Sequence, residues 1–82
     1  MNERTTSLIL YTTPGCHLCE MAEEILHTVG APFQPVDIAD DPELIKLYGV
    51  RIPVVADSVG RELGWPFDGT GVVSWINEAA TG

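Results

Sequence analysis

The chain has 82 residues, 45% of them hydrophobic, with only two cysteines and a formal net charge of -8. That is one small domain, residues 1–82, near the size at which a lone core becomes marginal; two cysteines are too few for the disulfide framework that staples small secreted folds. Twelve acidic residues against four basic ones repel phosphate backbones and anionic bilayers, and no stretch approaches the roughly 20 apolar residues of a membrane span, so neither nucleic acid nor membrane is an expected partner.

Residues 1–6 are polar and expected to be loose. Residues 7–12, with Leu8-Ile9-Leu10-Tyr11-Thr12, are apolar and β-branched without clear alternation, which predicts a central strand covered on both faces. Pro14 and Gly15 break it. Leu18, Ala22, Ile25, Leu26 and Val29 then fall on the 3.6-residue period, predicting a helix over 16–29 with Gly30 as its stop. Residues 33–38, Phe33-Gln34-Pro35-Val36-Asp37-Ile38, read as a second strand, which Pro35 places at a sheet edge. Asp41 as cap, Pro42 in the first turn and Glu43 at the positive end of the dipole open a short helix that runs to Tyr48 and stops at Gly49. Strands over 53–56 and 61–64, separated by a turn at 58–60, predict an antiparallel hairpin. Asp68 can cap a last helix over 70–80, whose apolar face is Val72, Val73, Ile76, Ala79 and Ala80.

Both cysteines lie in Thr13-Pro14-Gly15-Cys16-His17-Leu18-Cys19, between the first strand and the first helix. Residues three apart share a helix face, and the unpaired amides at a helix start favour a thiolate, which in such pairs can have a pKa of about 3.5–7.5. The expected chemistry is attack by Cys16 on a substrate disulfide, followed by resolution of the mixed disulfide by Cys19. The alternative is an idle reduced pair. His17 reads either as a polar or cationic neighbour that favours the reduced form or as a solvent-facing bystander. His27 reads as structural or solvated. Being eight residues beyond Cys19, about 12 Å by helical rise, it is too far to complete a zinc site with the cysteines. Glu20 stands where a haem-attachment motif needs histidine.

The order β-α-β-α-β-β-α, with Cys-x-x-Cys closing the first βα loop, resembles the thioredoxin fold, and the length resembles its minimal form, the glutaredoxins. Tyr11 to Cys19 resembles the glutaredoxin active-site stretch. Val50-Arg51-Ile52-Pro53-Val54-Val55 resembles the superfamily's cis-proline segment, and Leu63-Gly64-Trp65-Pro66-Phe67-Asp68-Gly69 its glycine-aspartate turn. The resemblance implies an α/β fold, a four-stranded mixed sheet flanked by three helices, in which Pro53 is cis. The backbone of Ile52 would then face the cysteines and pair with an extended substrate. It further implies Arg51 as an anion site for a glutathione carboxylate or an acidic partner, with a solvated surface arginine as the alternative. Asp68 matches the family's glutathione-binding acid. Thr13 stands where many glutaredoxins carry lysine, and His17 where dithiol members carry proline.

The reading that follows is a monomeric, cytoplasmic thiol-disulfide oxidoreductase acting on protein disulfides or glutathione mixed disulfides. It has no bound cofactor, no metal site, and glutathione as candidate reductant. An iron-sulfur carrier and a non-catalytic binding module are the alternatives.

Overall fold

Leu10 has no exposed surface, and the sheet is built outward from its strand. In a computed structural model of the chain, which describes residues 8–81 and their side chains as far as residue 78, that strand is β1, Leu8–Thr12. It is followed by α1 (His17–Thr28), β2 (Phe33–Asp37), a 3-10 turn (Ile38–Asp40), α2 (Pro42–Tyr48), β3 (Val54–Ala56), β4 (Glu62–Gly64) and α3 (Gly69–Thr81). The expectation for residues 1–6 lies outside the described residues.

The sheet order is β2-β1-β3-β4. β1 runs parallel to β2, with Leu8 opposite Phe33, because α1 makes the crossover that parallel neighbours require. β3 is antiparallel to β1 and to β4, so the predicted hairpin is present, β1 is interior, and β2 with its Pro35 is an edge.

Each face of the sheet has its own core. Leu8, Leu10 and Val55 pack with Ala22 and Leu26 of α1 and with Val72 and Trp75 of α3. On the other face Val54 packs with Ile38 and Tyr48, flanked by Tyr11, Leu44 and Ile52. Two covered faces explain why β1 and β3 read as apolar runs without alternation. Burying each Leu or Val completely contributes about 1.5–3 kcal/mol, and these positions hold the domain together.

Several boundaries and faces differ from expectation, the boundaries by one residue. Cys16 is the N-cap of α1 rather than its first residue, and Leu18 is 43% exposed while Cys19 takes the buried position. The helix ends as expected at Gly30, which has φ 74°; its N–H bonds to His27 O, and the Ala31 N–H bonds to Leu26 O, closing a Schellman motif. Ile38 leaves the second strand because the Asp37 carboxylate accepts the Ala39 N–H at 2.8 Å and starts the 3-10 turn. In α3 the buried positions are Val72 and Trp75, whereas Val73 is exposed; the side chains of Ala79 and Ala80 lie outside the described residues.

Asp41 caps α2 by accepting the Glu43 N–H at 2.9 Å, and Asp68 caps α3 by accepting the Gly71 N–H at 2.7 Å. The β3–β4 turn is organised by Asp57, whose carboxylate accepts the N–H of Val59 at 3.1 Å and that of Arg61 at 2.8 Å. Among the described residues two peptide bonds are cis, Ile52–Pro53 and Trp65–Pro66. Trp65 and Phe67 meet edge to face, with centroids 5.0 Å apart, against the α1–α3 core.

Candidate redox site

The chain leaves β1 at Thr12 and turns back through Thr13-Pro14-Gly15-Cys16. The Cys16 N–H closes this turn on Thr13 O at 3.3 Å. Gly15 takes φ 81°, the left-handed conformation that a Pro-Gly turn of type II asks of its third residue. The turn delivers Cys16 to the N-terminus of α1 in extended conformation, φ -88° and ψ 106°, the usual geometry of an N-cap.

Cys16 and Cys19 form a disulfide, with Cα atoms 5.2 Å apart. The Cys19 N–H donates to Cys16 Sγ at 3.1 Å, so a first-turn amide is aimed at the leading sulfur. In the dithiol state that amide and the positive end of the helix dipole would stabilise a Cys16 thiolate. The two sulfurs are not equivalent: Cys16 is partly exposed, whereas Cys19 is 2% exposed. An incoming disulfide can reach the first and not the second. This is the division of labour expected between an attacking and a resolving cysteine.

A groove of about 440 Å³ opens on the pair. Thr12, Thr13 and Gly15 form part of it, Glu20 and Glu23 of α1 another, and Pro35 and Asp37 of β2 the rest. Glu20, Glu23 and Asp37 were not among the residues expected at the site. Glu20 and Glu23 could have been found, since they follow Cys16 by four and seven residues and so share its face of the helix. Asp37 is brought there by the parallel register, which sets it beside Thr12.

The remaining candidates fall in different places. Continuing the β1–β3 register beyond Tyr11 and Val54 sets cis-Pro53 across from Thr12, at the sheet end from which the cysteine loop departs. Pro53 is fully buried, and its carbonyl accepts the Trp65 N–H at 3.2 Å. Ile52 precedes it, but its N–H is engaged by Tyr48 O at 3.0 Å, so the Ile52 amide is already bonded within the chain. His17 is exposed at the first position of α1. His27 stacks edge to face on Phe33, with centroids 5.2 Å apart, a structural contact.

Arg51 is a surface arginine, 48% of its side chain exposed, whose guanidinium is held within the chain. Its guanidinium bonds to Glu62 at 2.8 Å and lies 5.3 Å above the Tyr48 ring. Tyr48 in turn stacks on Tyr11 with centroids 4.2 Å apart and donates its hydroxyl to Glu62 at 2.6 Å. Asp68 is not among the residues that line the cysteine groove. A Cβ on its neighbour Gly69 would lie 3.1 Å from Val29 Cγ1. Val29 is the C-cap of α1, thirteen residues or about 20 Å of helix from Cys16. Among the described residues no three His, Cys, Asp or Glu side chains group as a metal centre would need, and no helix is long and apolar enough to cross a membrane.

Comparison with known proteins agrees with this geometry. Residues 7–77 match the model of the Glutaredoxin-like domain (DUF836). The X-ray structure of target protein XcR50 from X. campestris is 44% identical, with a TM-score of 0.84 over 87% of this chain and 96% of that one. N-acetyl-S-hydroxy-L-cysteine reductase of Bacillus subtilis (strain 168) is 33% identical over 60 residues, 67% of this chain; the match spans 62% of that protein, less than two-thirds of its length. The SPbeta prophage-derived thioredoxin-like protein YosR of the same organism is 31% identical over 65 residues, covering 71% of this chain and 81% of that one. With its helices, mixed sheet and Cys-x-x-Cys pair, the chain belongs to the glutaredoxin-like family of the thioredoxin superfamily.

Proposed function

We propose that the chain is a dithiol thiol-disulfide oxidoreductase that passes two electrons from the Cys16–Cys19 pair to a disulfide on a protein or to a mixed disulfide with glutathione. One observation carries this: an accessible sulfur at a helix N-cap, receiving a backbone N–H, with a second cysteine buried behind it at bonding distance. A related protein named as a reductase supports the direction of electron flow.

The Cys16 thiolate attacks one substrate sulfur, the substrate S–S bond breaks, and one thiolate leaves and takes up a proton. Cys19, deprotonated, then attacks Cys16 Sγ, releases the second substrate thiol and closes the Cys16–Cys19 disulfide. The substrate is reduced by two electrons and the protein oxidised by two; a thiol reductant, with glutathione as candidate, restores the dithiol. The protein works as a monomer in the cytoplasm, without a resident cofactor.

The test is turnover of bis(2-hydroxyethyl) disulfide with excess thiol reductant. Cys16→Ser should abolish it. Cys19→Ser, treated with the disulfide in the absence of reductant, should hold a mixed disulfide on Cys16, visible as a mass increase that added reductant removes. Equal and unchanged turnover in both variants would refute the proposal.

A further inference from the structure

The groove that opens on the disulfide carries three carboxylate side chains, Glu20, Glu23 and Asp37, and no Lys or Arg among the described residues. Glu20 and Glu23 have no ion-pair partner among those residues, and Asp37 accepts one backbone N–H, from Ala39. The Lys and Arg side chains among the described residues are held elsewhere. Arg51 is paired with Glu62, and Arg61 with Asp57, while Lys46 is carried by α2 on the opposite face of the sheet. Thr13, neutral, fills the wall beside the cysteines.

Building on the oxidoreductase reading, we infer that the disulfide reduced at this site is flanked by positive charge, with amino groups or basic side chains close to its sulfurs. A substrate sulfur must come within bonding distance of Cys16 Sγ. Groups a few bonds away therefore enter the groove, within the roughly 8 Å over which charges act at physiological ionic strength. A cationic flank meets compensating carboxylates there, whereas an anionic flank, such as those of oxidised glutathione, meets like charge and loses its hydration. The leaving group sharpens the choice. A departing thiolate with an ammonium group is neutral overall, but one with a carboxylate places two negative charges beside Glu20, Glu23 and Asp37.

The experiment mixes pre-reduced protein with cystamine (cationic), bis(2-hydroxyethyl) disulfide (neutral) or 3,3'-dithiodipropionate (anionic) and follows oxidation of the dithiol. Each rate is divided by that of dithiothreitol on the same disulfide, because a thiol of lower pKa leaves faster. The corrected cystamine-to-dithiodipropionate ratio should be roughly tenfold or more at low salt and shrink toward one at 1 M salt. The triple variant Glu20→Gln, Glu23→Gln, Asp37→Asn should lower that ratio severalfold, and a cystine peptide with lysine flanks should be preferred over one with glutamate flanks. Reduction of the neutral disulfide with a corrected ratio near one, or a ratio that the triple variant leaves intact, overturns this inference alone. Failure to reduce even the neutral disulfide overturns the oxidoreductase reading beneath it.

Discussion

The Tyr48 hydroxyl and the Glu62 carboxylate are joined by a 2.6 Å hydrogen bond that ties α2 to the edge strand β4. The hydrogen bond to Glu62, then burial and the Glu62 charge, push the Tyr48 hydroxyl up to about 12. Hydrogen bonds from Tyr48 and Arg51 outweigh burial and hold Glu62 below the usual glutamate value. The signs differ for the two groups. The lowered Glu62 contributes stability that is present above its unfolded value and lost as pH falls through its folded one. The raised Tyr48 contributes stability that is present below about 10 and lost as pH rises from there through about 12. The urea midpoint should therefore fall at both ends, and Tyr48→Phe should flatten the alkaline fall while lowering stability at pH 7 by about 1–2 kcal/mol. Identical alkaline limbs in the two proteins would show that the hydrogen bond does not hold the phenol protonated.

His17 follows the attacking cysteine immediately and is exposed. A polar or cationic side chain there stabilises the thiolate, and hence the dithiol state, more than the neutral disulfide. His17→Pro removes it while keeping a residue that suits the first turn of a helix. The midpoint of the pair in thiol redox buffers should become more negative by about 10–30 mV, a change of order 1 kcal/mol. An unchanged midpoint would leave His17 a bystander.

The sequence was most legible where a feature is local. The strand–turn–helix around the cysteines, the Asp41-Pro42 helix start and the edge position signalled by Pro35 all depend on residues within a few positions of one another, and all appear in the fold. What it concealed depends on register. Asp37 reaches the redox groove because β2 pairs with β1, and Arg51 is bound because the hairpin brings Glu62 beside α2. The spacing of residues 37 and 62 from their partners carries no periodic signal. Asp68 caps α3 as its local sequence predicts.

Gly30 offers a clean conformational test. A Cβ placed on it meets nothing within 4 Å, so Gly30→Ala introduces no clash beyond the cost of φ 74° itself. That substitution should lower stability by about 1–2 kcal/mol. Gly30→Asn should cost less, because asparagine tolerates the left-handed region. The redox midpoint should stay unchanged in both, since Gly30 sits at the far end of α1 from the cysteines. Equal losses for alanine and asparagine would mean that something other than backbone strain sets the cost.

Asp57 and Arg61 bind the β3–β4 hairpin to α3. The Asp57 carboxylate, with only 3% of its side chain exposed, accepts Arg61 Nε at 2.9 Å. The same guanidinium donates to Trp75 O at 2.6 Å and lies 4.6 Å over the Trp75 ring. Burial alone would raise the Asp57 carboxyl, but the side-chain and backbone hydrogen bonds from Arg61, the Val59 amide and the Arg61 charge outweigh it and hold it below the ordinary aspartate value. Its contribution is therefore present above the unfolded value and lost as pH falls through the folded one. Asp57→Asn keeps an acceptor for the turn amides but removes the nearer and more buried of the two carboxylates paired with Arg61, the other being Glu78 at 3.6 Å, and should cost about 2–4 kcal/mol at pH 7. Arg61→Met leaves Asp57 buried and uncompensated, with a loss of similar size. Because the two side chains are in direct contact and Arg61→Met strands the buried Asp57 carboxylate, the double variant should lose at least about 1 kcal/mol less than the sum of the two. Simple additivity in urea denaturation at pH 7 would show that the pair is not coupled.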